Sequence, residues 1–512
     1  MLTTKLLLPL LLTVGAPQSD EERAPSIASE LEAERRGLEA FPFTSRIVEY
    51  QLENGWRFLI LPRGDAPVVA FETYAGVGAA DELPGETGLA HMFEHMAFKG
   101  STRIGTTNWE RERSALEEVE RKRLELQYAR QSDDGTRIAI AEAALDTAIA
   151  DAGRYVASEE FSRILEDAGG ASSLNASTSS DETRYVVSLP SNQVELWCAM
   201  EAERFADPVL REFYQEREAV LEERNMRVES NPYGKLLDAL RREAFEVHPY
   251  GTPVMGYERD IRAHTAEGAR RFFTTHYGAR NLTTAIVGDV DPESLLPILE
   301  RTCGRVPAGP EPPVVSNREP EQTAERRTRV EFPSSPLLAL GFRVPELAHE
   351  DTAAVEIAVR LLGAGRSSRL ERRLIRNDAL ATRVIATPRW PGERFPTLAL
   401  FLCVPADGCA LNAVLSALDE ELALLAREGP SEEELATAKR AVRAELLRSM
   451  RRSEELAATL VRYSAKTGDW RNAFRRVGEL ERVTGDDVCR ALRTYFTDAR
   501  RTIATLEPKD EG

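Results

Sequence analysis

Two stretches of the chain, one near its middle and one at its end, resemble each other. Residues 265–293 read TAEGARRFFTTHYGARNLTTAIVGDVDPE, and residues 484–510 read TGDDVCRALRTYFTDARRTIATLEPKD. Each has an acidic helix start, an aromatic residue near the helix end, an Ala-Arg pair and a Thr-rich strand closed by an acidic residue before Pro. Repetition of this kind is typical of duplicated folding units. The sequence therefore predicts an α+β protein of two related domains, each a mainly antiparallel sheet with helices packed on it.

Turn and linker signals place these domains along the chain. A chain of 512 residues is too long for a single hydrophobic core. Asn54-Gly55 predicts a β-hairpin, and the run from Gln193 to about Ala244 predicts a long helical stretch. Pro and charged residues dominate the segment before the second domain, which is typical of a linker. The predicted units are a first domain over 38–305, a linker over 306–327 and a second domain over 328–508.

Residues 107–155 have a composition of their own. WERERSALEEVERKRLELQYAR is highly charged, with Leu116, Val119 and Leu126 at helical seam spacing, and the run after the turn QSDDGT is also helical in pattern. This pattern predicts an antiparallel helical hairpin inserted in the first domain. A solvated arm and an arm that docks a partner are both open as its role.

The N-terminal residues and the overall charge bear on localisation. An apolar run from Leu6 to about Val14 follows one Lys and precedes small residues, which predicts a signal peptide over about 1–16 and an exported protein, in the bacterial periplasm or secreted. No later stretch is long and apolar enough to span a membrane. The net charge of −18 argues against nucleic acid as a partner. Five cysteines form no metal-type cluster, and a pair between Cys403 and Cys409 is left open.

The stretch GETGLAHMFEHMAFKGS places two of the six histidines, His91 and His95, four residues apart. On a helix these positions share one face, so both imidazoles can bind one metal ion. Glu94 lies beside them, close enough to reach a water on that ion. This is the inverted zinc-peptidase signature H-x-x-E-H, with Glu94 as the candidate general base. Two imidazoles and one carboxylate suit a catalytic zinc ion because they leave its fourth tetrahedral position for water, so the pattern predicts a third, acidic ligand on another element.

Several motifs in order resemble one family. They are HMFEH at 91–95, NASTSSDET at 175–183, EREAVLEE at 216–223, HPYGTPVMGYERDI at 248–261, NLTTAIVGDVDPE at 281–293 and LLGAGRSSRL at 361–370. The chain resembles the pitrilysin, insulysin and mitochondrial processing peptidase group of zinc metallopeptidases, most closely its bacterial two-domain members. The resemblance runs from about residue 45 to 508. It implies that the two domains form half of a clamshell, and that the second domain, which has no HxxEH motif, is not catalytic.

The resemblance also implies the remaining site residues around one Zn²⁺ per chain. The family's third zinc ligand lies in a helical pattern E-R-x-x-V-x-x-E, which maps it to Glu223 and maps a supporting acid to Glu216. Glu222, the neighbouring carboxylate, is rotated about 100° away on the helix. Asn175 and Ala176 map to an edge strand on which a substrate peptide adds as an extra strand.

One departure from the family pattern concerns the second domain. Many members carry an Arg and a Tyr there that reach the substrate carbonyl. Arg376 matches the Arg, but Thr382 stands near the usual Tyr position and lacks a phenol. Relatives of this size pair with a second two-domain chain, so the resemblance implies a homodimer or a heterodimer.

The function that these patterns predict is hydrolysis of peptide bonds in extended oligopeptides by a zinc metalloendopeptidase. The alternative is a zinc-binding subunit on the same fold that is inactive or depends on a partner, with a structural or adaptor role. The HxxEH motif and the distal Glu223 favour the enzyme. Thr382 at the usual Tyr position keeps the alternative open.

Overall fold

The computed structural model describes residues 41–132 and 134–509, so the predicted signal peptide over 1–16 lies outside the described residues. The strands are β1 Val48–Gln51, β2 Arg57–Pro62, β3 Val68–Ala75, β4 Asn175–Thr178, β5 Thr183–Pro190, β6 Leu282–Gly288, β7 Arg326–Glu331, β8 Leu337–Val344, β9 Ala381–Trp390, β10 Thr397–Pro405 and β11 Arg501–Glu507.

Helices from both halves of the chain pack around these strands. They are α1 Leu89–Met96, α2 Trp109–Gln131, α3 Gly135–Gly153, α4 Glu160–Leu165, α5 Val194–Ala206, α6 Phe213–Arg224, α7 Pro232–Ala244, α8 Glu258–Ala263, α9 Ala266–His276, α10 Pro292–Thr302, α11 Thr352–Gly363, α12 Leu411–Glu428, α13 Glu432–Ser449, α14 Ser453–Thr467, α15 Asn472–Arg482 and α16 Gly485–Tyr495. None of these helices has the length and apolar character needed to cross a bilayer.

The strands form two sheets with matching topology. The first has the order β1-β2-β6-β3-β5-β4 and the second the order β7-β11-β8-β10-β9. In each sheet one pair is parallel, β2 with β6 and β7 with β11, and the other pairs are antiparallel. The two stretches that resemble each other in sequence form α9 with β6 and α16 with β11, at equivalent positions. The predicted fold of two related α+β domains is therefore confirmed.

The helical stretch predicted from Gln193 to about Ala244 is helical over most of its length, and two breaks divide it into α5, α6 and α7. Pro208 lies in the first break and Pro232 directly follows the second, and neither residue has an N–H for an intrahelical bond. Asn231 ends the second gap by capping α7, because its side chain accepts hydrogen bonds from the backbone N–H groups of Tyr233 and Gly234. The break between α5 and α6 sets the direction of α6.

Each half of the sequence covers part of the other half's sheet. Helix α7 packs on the second sheet, and helix α14 packs on β3 and β6 of the first. The buried side chains are, for α7, Leu236 and Leu240 with Ala339, Leu402 and Leu506, and, for α14, Leu456 and Leu460 with Leu59, Leu61 and Val287. Because a helix of each half buries apolar surface on the sheet of the other, the hydrophobic effect stabilises the contact between the two halves.

The segment that joins the halves is anchored rather than free. Most of the predicted linker has no helix or strand, but its last two residues, Arg326 and Arg327, already belong to β7. The Glu319 carboxylate accepts hydrogen bonds from three consecutive backbone N–H groups at residues 246–248. The segment is thus tied to the C-terminal end of α7.

The charged residues 107–155 fold as α2 and α3, which pack against each other. At the base of this pair, Arg211 donates to Glu112 at 2.7 Å, and both side chains are buried. Tyr214 at the start of α6 donates to Glu120 of α2 at 2.6 Å. The helical pair therefore contacts α6 directly. All five cysteines lie in the described residues with free thiols, so no disulfide joins Cys403 to Cys409.

Candidate metal centre

Helix α1 carries the HxxEH motif, and a buried carboxylate holds its N-terminus. The two oxygens of Glu82 accept hydrogen bonds from the backbone N–H groups of Gly88 and Ala90, each at 2.8 Å. Gly88 has a φ of +93°, a left-handed conformation that glycine adopts without strain. Glu82 thus takes the place of a side-chain cap and fixes the direction of α1.

The motif HPYGTPVMGYERDI packs closely against the turn at which α1 begins. A Cβ on Gly256 would lie 2.3 Å from the carbonyl oxygen of Thr87, so only glycine allows this approach. The Gly256 carbonyl accepts a hydrogen bond from Arg224 at the end of α6, at 2.9 Å. This loop therefore links α1 to α6, the helix that carries Glu216 and Glu223.

The structure brings His91, His95 and Glu223 together. Glu223 Oε2 lies 3.5 Å from His91 Nε2 and 3.4 Å from His95 Nε2. Their donor atoms lie within 4.8 Å of one another. Two imidazoles and one carboxylate around a common point are a ligand set that zinc prefers, with one position left open.

The chemistry of these donors fits a cation. Glu223 Oε2 is buried and has no hydrogen-bond partner among the described residues, while Oε1 pairs with Arg227 Nη2 at 2.7 Å. A buried carboxylate oxygen without a partner is costly unless a cation pairs with it. Burial, and then the charge of His95, lower the pKa of His91 to about 3, so His91 is neutral and offers a lone pair.

Glu216 orients the second imidazole. His95 Nδ1 donates to Glu216 Oε2 at 3.3 Å, which leaves His95 Nε2 directed at Glu223. Lys99 Nζ contacts Glu216 Oε1 at 2.6 Å. The His95 hydrogen bond, opposed by burial and aided by Lys99, lowers the pKa of Glu216 to about 2. Burial alone lowers the pKa of His95, but Glu216 and Glu223 outweigh it and raise that pKa, so this environment favours positive charge.

Glu94 lies on α1 between the two histidines and has a partner of its own. Thr178, the last residue of β4, donates a hydrogen bond to Glu94 Oε2 at 2.6 Å. Burial raises the pKa of Glu94 above its ordinary value, while the Thr178 hydrogen bond and the charge of His95 lower it. A half-buried carboxylate with a raised pKa is typical of a general base near neutral pH.

Asn175 and Ala176 lie on β4 at the edge of the first sheet. Strand β4 pairs with β5 on one side, and no strand in the described residues pairs with its other side. Asn175 is exposed and Ala176 packs against the first core. Helix α1 packs against β4, so this free edge runs beside the candidate metal ligands.

The two second-half positions lie elsewhere in the fold. Arg376 is exposed in the π-helical segment Glu371–Asn377 that precedes β9, and its guanidinium donates to the carbonyl of Arg366 at 2.8 Å. Thr382 is exposed on β9 and donates to the carbonyl of Val404 at 3.3 Å. No contact in the described part of the chain connects either residue with His91, His95 or Glu223.

The structure adds three residues whose roles the sequence interpretation did not identify. Lys99 supports Glu216, Arg227 holds Glu223, and Thr178 contacts Glu94. Lys99 follows His95 by four residues and Arg227 follows Glu223 by four, so helical periodicity offered a signal for both. Thr178 lies in the motif NASTSSDET, which the resemblance places beside the metal, but its contact with Glu94 gave no local signal because the two residues are distant in sequence.

Comparison with known proteins identifies the family. The family model described as Insulinase (Peptidase family M16) matches residues 150–258. The model described as Peptidase M16 inactive domain matches residues 264–442. The two matches follow each other along the chain and together span more than half of it.

Individual relatives agree over nearly the whole chain. The Zinc protease PqqE of Helicobacter pylori is 25% identical over 472 residues, which cover 89% of this chain and 92% of that protein. The crystal structure of a protease from Helicobacter pylori superposes with a TM-score of 0.76 at 23% identity, over 90% of this chain and 99% of that one. The first half of the periplasmic protease PqqL from Escherichia coli has a TM-score of 0.64 at 18% identity, over 90% and 92%. The chain therefore belongs to peptidase family M16.

Proposed function

We propose that the protein is a zinc-dependent metalloendopeptidase that hydrolyses peptide bonds in extended oligopeptides or unfolded segments. One observation carries the proposal: the donor atoms of His91, His95 and Glu223 converge within 4.8 Å beside Glu94. A helix face with two histidines has other uses, but a third, unpartnered carboxylate oxygen at the same point favours a metal ion.

In this proposal His91, His95 and Glu223 hold the zinc ion, which supplies polarisation of the scissile carbonyl and an acidified water when bound. Glu94 accepts the proton of the attacking water and passes it to the leaving amine. Thr178 orients the Glu94 carboxylate through its hydrogen bond. Glu216 keeps the proton of His95 on Nδ1, so that Nε2 stays available as a ligand.

The free edge of β4 accounts for the substrate class. An extended peptide that adds to an edge strand is held mainly by main-chain hydrogen bonds, so recognition depends on extension more than on sequence. Asn175 and Ala176 lie on this edge next to α1. We therefore expect broad cleavage of flexible peptides and little cleavage of folded proteins.

The test of this function is zinc dependence in the purified chain. We expect about one zinc ion per chain, cleavage of a quenched mixed oligopeptide library, loss of cleavage after chelation and recovery on adding zinc. Zinc content is measured by atomic absorption and cleavage by fluorescence. Cleavage that persists after complete removal of the metal would contradict the proposal.

A second candidate function is a zinc-binding subunit that needs a partner. Two observations favour it: Thr382 offers no phenol donor, and Arg376 is engaged with the Arg366 carbonyl. A second two-domain chain would then complete the site, as a heterodimer rather than a homodimer. Stoichiometric zinc without cleavage in the isolated chain would select this candidate.

We also propose that the protein is exported to the periplasm or the exterior. This part of the proposal rests on the sequence of residues 1–16.

Thr178→Val is expected to shift the pH dependence of cleavage. Activity that needs ionised Glu94 is present above the pKa of Glu94 and is lost as the pH falls through it. The Thr178 hydrogen bond lowers that pKa against the effect of burial, so its removal raises the pKa further. The acid limb of kcat/KM should move to higher pH, and kcat should fall about tenfold. Thr178→Ser keeps the hydroxyl and should restore both. An unchanged acid limb in Thr178→Val would remove Thr178 from the mechanism.

A further inference from the structure

One loop of the second half reaches into the first half near the candidate metal centre. This loop joins β9 to β10 and contains Glu393 and Arg394. The guanidinium of Arg394 donates to both carboxylate oxygens of Asp81, each at 2.9 Å. The backbone N–H groups of Glu393 and Arg394 donate to Asp181 at 2.6 and 3.1 Å. The loop thus holds two aspartates, both buried, from two segments of the first half.

The first of these segments leads directly to α1. Asp81 accepts a hydrogen bond from the backbone N–H of Gly78 at 3.0 Å, which closes a short helical turn. Its neighbour Glu82 caps the N-terminus of α1 through Gly88 and Ala90. Because Asp81 and Glu82 are adjacent, a displacement of Asp81 also displaces Glu82, which caps the helix that carries Glu94.

The second segment leads to the partner of Glu94. Asp181 lies in the turn between β4 and β5, and its backbone N–H donates to the Ser179 hydroxyl at 3.1 Å. Thr178, three residues earlier at the end of β4, donates to Glu94. Tyr250 also donates to Asp181 at 2.6 Å. This turn therefore sets the end of the substrate edge strand and the contact of its last residue with Glu94.

The two segments are also joined to each other. The backbone N–H groups of Ala79 and Ala80 donate to the carbonyls of Ser179 and Ser180 at 3.1 and 2.9 Å. Burial raises the pKa of Asp81 to about 6, while the charge of Arg394 acts against this rise. Without Arg394 the buried Asp81 would keep no cation in contact among the described residues. Lys466 of the second half would still contact Asp181 and Glu182, at 3.5 and 3.0 Å, but the segment at Asp81 would lose its ion pair with the second half.

We propose that Arg394 is a positioning residue for the proposed reaction: through Asp81, and together with the Asp181 contacts of the same loop, it sets the placement of Glu94 and of the edge strand β4. The inference rests on the proposed function for its kinetic consequence. It gives the second half, which has no HxxEH motif, a direct role in the geometry of the first. Arg394 does not touch the ligands or Glu94, so its effect passes mainly through Asp81, which accepts both of its hydrogen bonds, and secondarily through Asp181, whose Oδ1 lies 3.9 Å from Arg394 Nε.

The test is a double-mutant cycle in the full chain with Arg394→Met, Asp81→Asn and the double variant. We expect Arg394→Met to lower kcat about 10- to 100-fold with zinc per chain unchanged, because small misplacement of a catalytic group is costly. The double variant should be no worse than the worse single variant, because both act on one contact. Arg394→Lys, which keeps the charge, should recover part of the loss. Additive losses in the cycle would overturn the inference.

A matched control and a second readout separate positioning from stability. Arg476 is a buried arginine that pairs with Glu356 and Glu479 inside the second half, so Arg476→Met should lower stability without the loss of kcat. An equal loss of kcat in Arg476→Met would overturn the inference. Hydrogen exchange should become faster in residues 78–96 and 175–183 of Arg394→Met. If the wild type cleaves nothing, the proposed function fails, and exchange decides alone: unchanged exchange in these segments overturns the inference, and faster exchange confined to them supports it.

Discussion

Glu94→Gln is expected to retain zinc and to lose peptide cleavage by about 10²- to 10⁴-fold, the range that a general base contributes. Glutamine has the shape of glutamate and can still accept the hydrogen bond from Thr178, so the fold of α1 is preserved. It cannot take a proton from the attacking water. Because Glu94 is not in the group formed by His91, His95 and Glu223, metal binding should not change.

The measurement pairs zinc per chain with kcat on the same oligopeptide library, using chelated wild type as the background. Zinc in both proteins with cleavage confined to the wild type is the expected result. Loss of zinc from Glu94→Gln would mean that Glu94 supports the metal rather than the proton transfer. Cleavage at the wild-type rate by Glu94→Gln would contradict its assignment as the general base.

Glu223→Gln is expected to lower zinc affinity by at least about 100-fold, a loss greater than that for most residues that only support a ligand. The charged oxygen that faces His91 and His95 at 3.5 and 3.4 Å becomes part of a neutral amide. Removing it leaves two imidazoles, a weaker and incomplete ligand set for zinc. Cleavage should fall with zinc occupancy and recover partly at high zinc concentration.

The chain supplies a matched control for this variant. Glu222 is the adjacent residue on α6, has the same side chain and is exposed to solvent. Glu222→Gln removes the same charge from the same turn of helix, so it should leave zinc affinity within about twofold of wild type, as for most surface substitutions. Zinc affinity is measured by competition with a chelator of known strength. Equal losses in the two variants would mean that the net charge of the helix, and not the position of Glu223, determines binding.

The HxxEH part of the candidate site was predictable because its spacing is local. His91, Glu94 and His95 lie within one and a half turns of helix, where a period of 3.6 residues alone decides which side chains share a face. Glu223 was different, since neither charge nor periodicity distinguishes it from Glu222 in EREAVLEER, and only the family resemblance selected it. The structure brings it within 3.5 Å of both imidazoles.

The breaks between α5, α6 and α7 were not predicted from the sequence pattern. The long apolar and charged run from Gln193 to Ala244 kept a helical pattern across two prolines, and the prediction followed the pattern. Proline removes a backbone donor and clashes with the preceding turn, so the chain bends at those points. The bend after α5 is what allows α6 to carry Glu216 and Glu223 toward α1.

The duplicated α+β fold, the hairpin at Asn54-Gly55 and the HxxEH helix are predictable from the amino-acid sequence, because each depends on residues close together in the chain. The distant groups that surround that helix are visible only in the folded chain. Thr178 meets Glu94 because β4 is an edge strand beside α1, and Arg394 meets Asp81 because a loop of the second half enters the first. The packing of α7 on the second sheet and of α14 on the first is also a contact between elements that are distant in sequence. Contacts of this sort depend on how whole elements pack, and packing leaves no periodic trace in a single sequence.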